Sequence, residues 1–311
     1  MATQTTDGEI PVSTELGDCI QSLRRLLDER ASLNDSLIAV LIGHESARNL
    51  RNESTDFPKE IIQALPLMLQ AIGASSHTLV KLSASPGFQT RDYYSIARSI
   101  VELCVNVCFL IAQGPAAAER ALRHARQKAF TDLERESRIG PSIIRVACDP
   151  RVDLDSVPEL KADLAEFTSR KGREKDWVDA SLDDRIRVAG EKLGDSVLTQ
   201  LHFARFLVYR HASEILHGTL FGVLHFYGLT GPGAWNLGRS AENVGQQHMG
   251  LLMAVGLALD AVVEGFHVEY GFDWAHRRSQ QLTDTLLSIP YLNAGDSSNE
   301  AQQKRGGDVP G

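Results

Sequence analysis

The sequence predicts an all-α fold, a helical bundle of about seven or eight helices with disordered termini. Three observations carry that expectation. Apolar residues recur at three- and four-residue spacing through most of the chain. Neither an Asn-Gly turn nor a sustained two-residue alternation marks a strand. A length of 311 residues with 43% hydrophobic side chains suffices for one sizeable core, and no repeat of fixed period divides it.

Taken in order, residues 1–13 are small and polar and are expected to be disordered. Glu15–Asn52 places Leu16, Ile20, Leu23, Leu26, Leu27, Leu37, Val40 and Leu41 on a helical period. Phe57–Ser85 continues it with Ile61, Ile62, Leu65, Met68, Leu69 and Ile72, and Pro66 is expected to kink or restart that helix. Ser85-Pro86-Gly87 is a turn. Asp92–Gln113 is the most apolar helix, stopped by Gly114-Pro115. Ala116–Arg138 combines strong helix formers with a charged outer face. Gly140–Val157 reads as a loop with one helical turn at most, Pro158–Ser169 as a short amphipathic helix, and Lys171–Ala180 as a polar loop carrying Trp177. Ser181-Leu182-Asp183-Asp184 resembles a capping box, opening a helix that ends at Gly194. Ser196–Tyr227 reads as one long helical stretch bent at Gly218, Gly228–Arg239 as a connection, and Ala241–Tyr270 as the last long helix. The expected organisation is therefore a single helical domain over residues 14–276, followed by a largely disordered tail over 277–311.

Composition narrows the function. With 32 Lys plus Arg against 40 Asp plus Glu, the charge of -8 argues against coating nucleic acid by charge alone. Four cysteines without a Cys-x-x-Cys pair exclude a disulfide-stapled scaffold. The start shows no basic segment followed by an apolar one, so a cytoplasmic protein is expected. The apolar runs Ile100–Ala112 and Leu251–Val263 fall short of the roughly 20 residues of a bilayer span. They also contain Glu102, Asn106 and Asp260, which fits buried helices and no membrane partner.

Two polar constellations interrupt the apolar helices. Tyr94, Arg98, Glu102 and Asn106 recur every four residues, forming a slowly drifting stripe on an otherwise greasy helix. Arg98 and Glu102 suit an i,i+4 pair, either a structural tie fixing helix register or the wall of a cleft. Tyr209, Ser213 and His217 repeat the four-residue step, with Arg210 and Glu214 as an adjacent pair. Arg210 and His217, seven apart, share a helix face. A cation beside an imidazole suits phosphodiester chemistry, the His moving a proton while the Arg holds the phosphate.

The sequences Arg98-Ser-Ile-Val-Glu102-Leu, Trp177-Val-Asp-Ala-Ser181-Leu-Asp-Asp-Arg185 and Tyr209-Arg-His-Ala-Ser213-Glu-Ile-Leu-His217-Gly218 occur in that order. Together they resemble a bacterial helical family known only as a domain of unknown function. The resemblance covers residues 60–270 and implies that the two constellations face one another with Trp177 nearby. A looser resemblance is to HEPN ribonucleases, helical toxins and defence effectors whose site is an Arg followed by four to six residues and a His. Both Arg210-x6-His217 and Arg205-x5-His211 have that spacing. This resemblance implies a metal-independent ribonuclease without cofactor, RNA as substrate, an antitoxin or sensor protein as partner, and a homo-oligomer. His217 would act as acid/base, Arg210 and Arg98 on phosphate, and Glu102, Tyr209 and Ser213 as orienting groups.

Alternatives stand beside this reading. One is a non-enzymatic helical binding module whose polar cluster is structural. Another is a di-metal carboxylate protein, since Glu214-Ile-Leu-His217 and Glu264-Gly-Phe-His267 are both Glu-x-x-His, with Glu102 and Glu45 as single ligands. Cys104 and Cys108 are expected to pack as small hydrophobes. Arg120, Arg123, Arg126, Lys128, Arg135 and Arg138 crowd one predicted helix, as a solvated face or an RNA-binding strip.

Overall fold

The computed structural model describes residues 12–51, 57–133, 135–146, 153–230, 237–290 and 292. The fold is all-α, but ten α-helices are present among the described residues, not seven or eight, together with one β-hairpin. They are α1 (Thr14–Arg51), α2 (Lys59–Leu82), α3 (Thr90–Gln113), α4 (Pro115–Leu133), β1 (Arg135–Ile139), β2 (Ser142–Val146), α5 (Pro158–Phe167), α6 (Leu182–Leu193), α7 (Asp195–Leu216), α8 (Leu220–Phe226), α9 (Leu237–Tyr270) and α10 (Asp273–Leu287). A single 3-10 turn, Leu154–Ser156, precedes α5. The ends expected to be disordered lie, for residues 1–11 and 293–311, outside the described residues.

Two helices account for the higher count. The stretch expected to bend at Gly218 breaks there: Gly218 takes a φ of 64°, open to glycine, and Thr219 caps α8 by accepting the Gly222 amide at 3.0 Å. α8 then folds back on α7 so closely that a Cβ on Gly222 would lie 2.5 Å from the Glu214 carbonyl oxygen. The second is α10, most of which falls in the stretch expected to be a tail. Its seam, Ala275, Ser279, Leu282 and Leu286, is narrow and half small, yet it seats the helix on α1 and α9.

The hairpin is a further correction. The basic helix expected to reach Arg138 stops at Leu133, and the predicted loop after Gly140 contains β2. Gly140 at φ 59°, followed by Pro141, makes the reversal, a positive φ at the first turn position as a type II′ turn requires. All ten strand residues are exposed, so no buried-face alternation exists to be read.

Elsewhere local chemistry acts as expected. Gly114 at φ 73° ends α3, its amide returning to the Leu110 carbonyl at 2.8 Å, and Pro115 starts α4. Ser181 caps α6 by accepting the Asp184 amide at 3.1 Å. Pro66 lies inside α2, buried, and the helix continues through it.

α9 and α3 form the centre. α9 packs on α1, α3 and α7, and α3 on α2, α6, α7 and α9. The two run parallel: Tyr94 bonds Gln247 at one end, while Gly265 sits against Cys108 and Ile111 at the other. α7 runs antiparallel to α3, since Arg91 reaches the Ile215 carbonyl and Arg98 reaches Tyr209. By length and composition α3 and the Ala241–Tyr270 part of α9 would each cross a bilayer, but most of each is enclosed by the other helices.

Candidate functional site

The four-residue stripe of α3 opens onto α6 and α7 at the edge of the bundle. Arg98 Nε donates to Glu102 Oε1 at 2.8 Å, Nη2 donates to the Tyr209 hydroxyl at 3.3 Å, and the guanidinium carbon lies 4.4 Å from the Tyr209 ring centroid. The Glu102 hydrogen bond raises the Arg98 pKa against a smaller opposing effect of burial. Arg205 lies 5.3 Å from the same ring and reaches Asp183 at 2.7 Å. One turn along α3, Asn106 accepts Arg185 Nη1 at 2.8 Å, and Arg185 covers Trp177, whose ring packs edge-on against Phe109. The stripe therefore meets α7 and the Trp177 loop. Arg98 and Glu102 keep 24% and 38% exposure, so the place is a half-open seam. Tyr94 belongs to the α9 side, donating to Gln247 at 2.9 Å.

Of the six predicted site residues, Arg98, Glu102 and Tyr209 come together. Arg210, Ser213 and His217 do not join them. His217 is the C-cap of α7, exposed, eight residues or about 12 Å along the axis from Tyr209. Because α7 is antiparallel to α3, Glu102 lies farther still from the imidazole than Arg98 does. Arg210 and His217 share one face, as their spacing requires, but that face is outward and also carries Phe203 and Phe206. The Ser213 carbonyl accepts the His217 amide in the ordinary end of a helix.

The Glu-x-x-His motifs separate as well. Glu214 lies at the Arg91 end of α3 and accepts the Thr219 hydroxyl at 2.7 Å. Glu264 lies at the Ile111 end, roughly 25 Å away by helix rise, and pairs with His276 of α10 at 2.7 Å. Two motifs so placed cannot share one metal pair, and no group of three or more potential ligands occurs among the described residues.

The basic residues of α4 are neutralised by carboxylates of α5 and of the loop after it. Arg123 and Arg126 both bind Asp163, a carboxylate 2% exposed, Arg120 and Arg123 bind Glu166, and Lys128 binds Glu174. Arg123, Arg126 and Asp163 line a polar cleft of about 560 Å³ between α2, α4 and α5. Arg135 and Arg138 stand apart, on the hairpin. Cys104 and Cys108 are fully buried, and burial pushes both thiols up, as packing hydrophobes should behave.

Three features escaped sequence reasoning. His211 and His225 stack at 4.0 Å, and burial lowers both pKa values. Arg30 and Asp260 form an ion pair at the core of α1, α9 and α10, which Ser279 and Thr283 complete. The outer face of α7 and α8 exposes Phe203, Phe206, Leu216, Leu220 and Phe221, with Phe206 and Leu220 at 75% and 73%. A signal for this last feature existed: α7 is apolar on more than its core stripe.

No protein-family model, curated protein or solved structure matches the chain significantly. The resemblances to the bacterial helical family and to HEPN ribonucleases rest on their quoted motifs alone.

Proposed function

We propose that the chain is a non-enzymatic helical binding module whose polar clusters are structural and whose partner docks on the α7–α8 face. The observation that carries this reading is the commitment of Arg98, Glu102 and Tyr209 to one another, with His217 standing exposed at the far end of α7. An acid/base must lie within reach of the groups that hold its substrate, and this imidazole lies about two helical turns from the nearest of them. The basic residues of α4 are occupied by carboxylates, whereas the outer face of α7 and α8 exposes Phe203, Phe206, Leu216, Leu220 and Phe221 around Arg210 and His217. That balance favours a protein partner over RNA, and a soluble, cytoplasmic setting suits it.

The test combines two measurements on the full chain. Incubation with single-stranded RNA is expected to give the same background cleavage for the wild type and His217→Ala. A photo-crosslinking side chain at position 206 is expected to trap one discrete protein in cells, and Leu220→Asp to abolish that product. RNA cleavage that His217→Ala removes without lowering the melting temperature would overturn the proposal.

A further inference from the structure

The β1–β2 hairpin has an exposed edge whose pattern fits a second copy of itself. Two strands alone are marginal in water, and this pair leaves Ile139, Ile143, Ile144 and Val146 between 37% and 62% exposed. Folded proteins ordinarily cover or blunt such an edge. The register pairs Ile139 with Ser142 across the two-residue turn, then Arg138 with Ile143, Ser137 with Ile144 and Glu136 with Arg145. Hydrogen-bonded and non-hydrogen-bonded pairs alternate from the turn outward. Glu136 and Arg138 therefore turn their backbone N–H and C=O groups away from β2, toward the open side of β1.

We propose that β1 pairs antiparallel with β1 of a second copy about a twofold axis at Ser137, giving a four-stranded sheet across a homodimer. In that register Glu136 lies opposite Arg138 of the second copy, twice by symmetry. Each such pair joins two residues whose backbone groups already face outward, so four main-chain hydrogen bonds and two ion pairs form together. Moving the axis by one residue sets Glu136 against Glu136, or Arg138 against Arg138, and like charges opposed across strands repel. The β2 edge has no such match: an axis at Ile144 sets Arg145 against Ile143. The charge pattern of β1 thus selects both the strand and the register. This surface is separate from the α7–α8 face, and the dimer neither requires nor excludes a partner there.

At the axis, two Ser137 side chains meet in a non-hydrogen-bonded pair, the closer of the two cross-strand geometries. The full chain carrying Ser137→Cys is expected to form a disulfide-linked dimer under oxidised glutathione, where the wild type forms none. Adding Arg138→Glu, at a position opposite Ile143 within its own hairpin, is expected to slow that cross-linking by about tenfold or more. Sedimentation of the wild type up to about 0.5 mM is expected to show a weak monomer–dimer equilibrium, as suits a small interface. A wild type that stays monomeric, a Ser137→Cys chain that does not cross-link, or cross-linking indifferent to Arg138→Glu would each overturn the proposal.

Discussion

Arg30 grips Asp260 with two contacts of 2.8 Å, from Nε to Oδ1 and from Nη2 to Oδ2, with both side chains at most 3% exposed. The pair joins α1 to α9, and Ser279 and Thr283 of α10 satisfy the remaining carboxylate sites at 2.7 and 3.3 Å. Removing one partner strands the other charge without water. Asp260→Ala or Arg30→Ala is therefore expected to cost about 3–5 kcal/mol, read from urea denaturation midpoints. An apolar double replacement is expected to be milder than either single change.

The Arg98–Glu102 pair is half-open, so solvent screens it. Glu102→Ala is expected to cost about 1 kcal/mol in the same assay, well below the Asp260 change. Tyr209→Phe is expected to leave stability within about 0.5 kcal/mol, because the ring keeps its stacking on the Arg98 guanidinium.

Stability should fall on mild acidification. Burial holds the His248 pKa at about 4, against 6.5 for an unburied ring, and the same cause lowers His211 and His225. Below the unfolded value the unfolded chain binds more protons than the native one, so stability present above pH 6.5 is lost as pH falls toward 4. His248 alone accounts for roughly 3 kcal/mol over that window. Thermal melts of His248→Asn are expected to show a flatter pH dependence than the wild type.

Gly222→Ala places a methyl group against the backbone of Glu214 and Ile215, which cannot swing aside as a side chain would. A destabilisation of about 1–3 kcal/mol is expected, with hydrogen exchange rising in α8 ahead of the rest of the domain.

What the sequence made legible follows from where each signal arises. Helix starts and stops set by local chemistry, such as Ser181 and Gly114, appear in the structure as expected. So does the Arg98–Glu102 pair, because a greasy helix must pair its few polar residues. The break at Gly218 read only as a bend, since the helical period of apolar residues resumes beyond it. The hairpin was illegible because both its faces are exposed, and α10 because its seam is half Ala and Ser. His217 misled for a geometric reason: helical spacing tells which residues share a face, but not whether that face turns inward. The Arg30–Asp260 tie spans 230 residues, a separation over which no local pattern reports a partner.

The parallel alignment of α3 and α9 bears on how the chain is made. Parallel neighbours cannot be joined by a short loop, and here α4 through α8 intervene between them. The face of α3 that receives α9, around Cys108 and Ile111 where Gly265 sits, is thus laid down early and covered only when the last third of the polypeptide has left the ribosome. Such high contact order slows the search for the native state and leaves a sticky nascent intermediate in the meantime. A nonsense codon ahead of α9 should accordingly yield aggregates or chaperone clients instead of a smaller working protein.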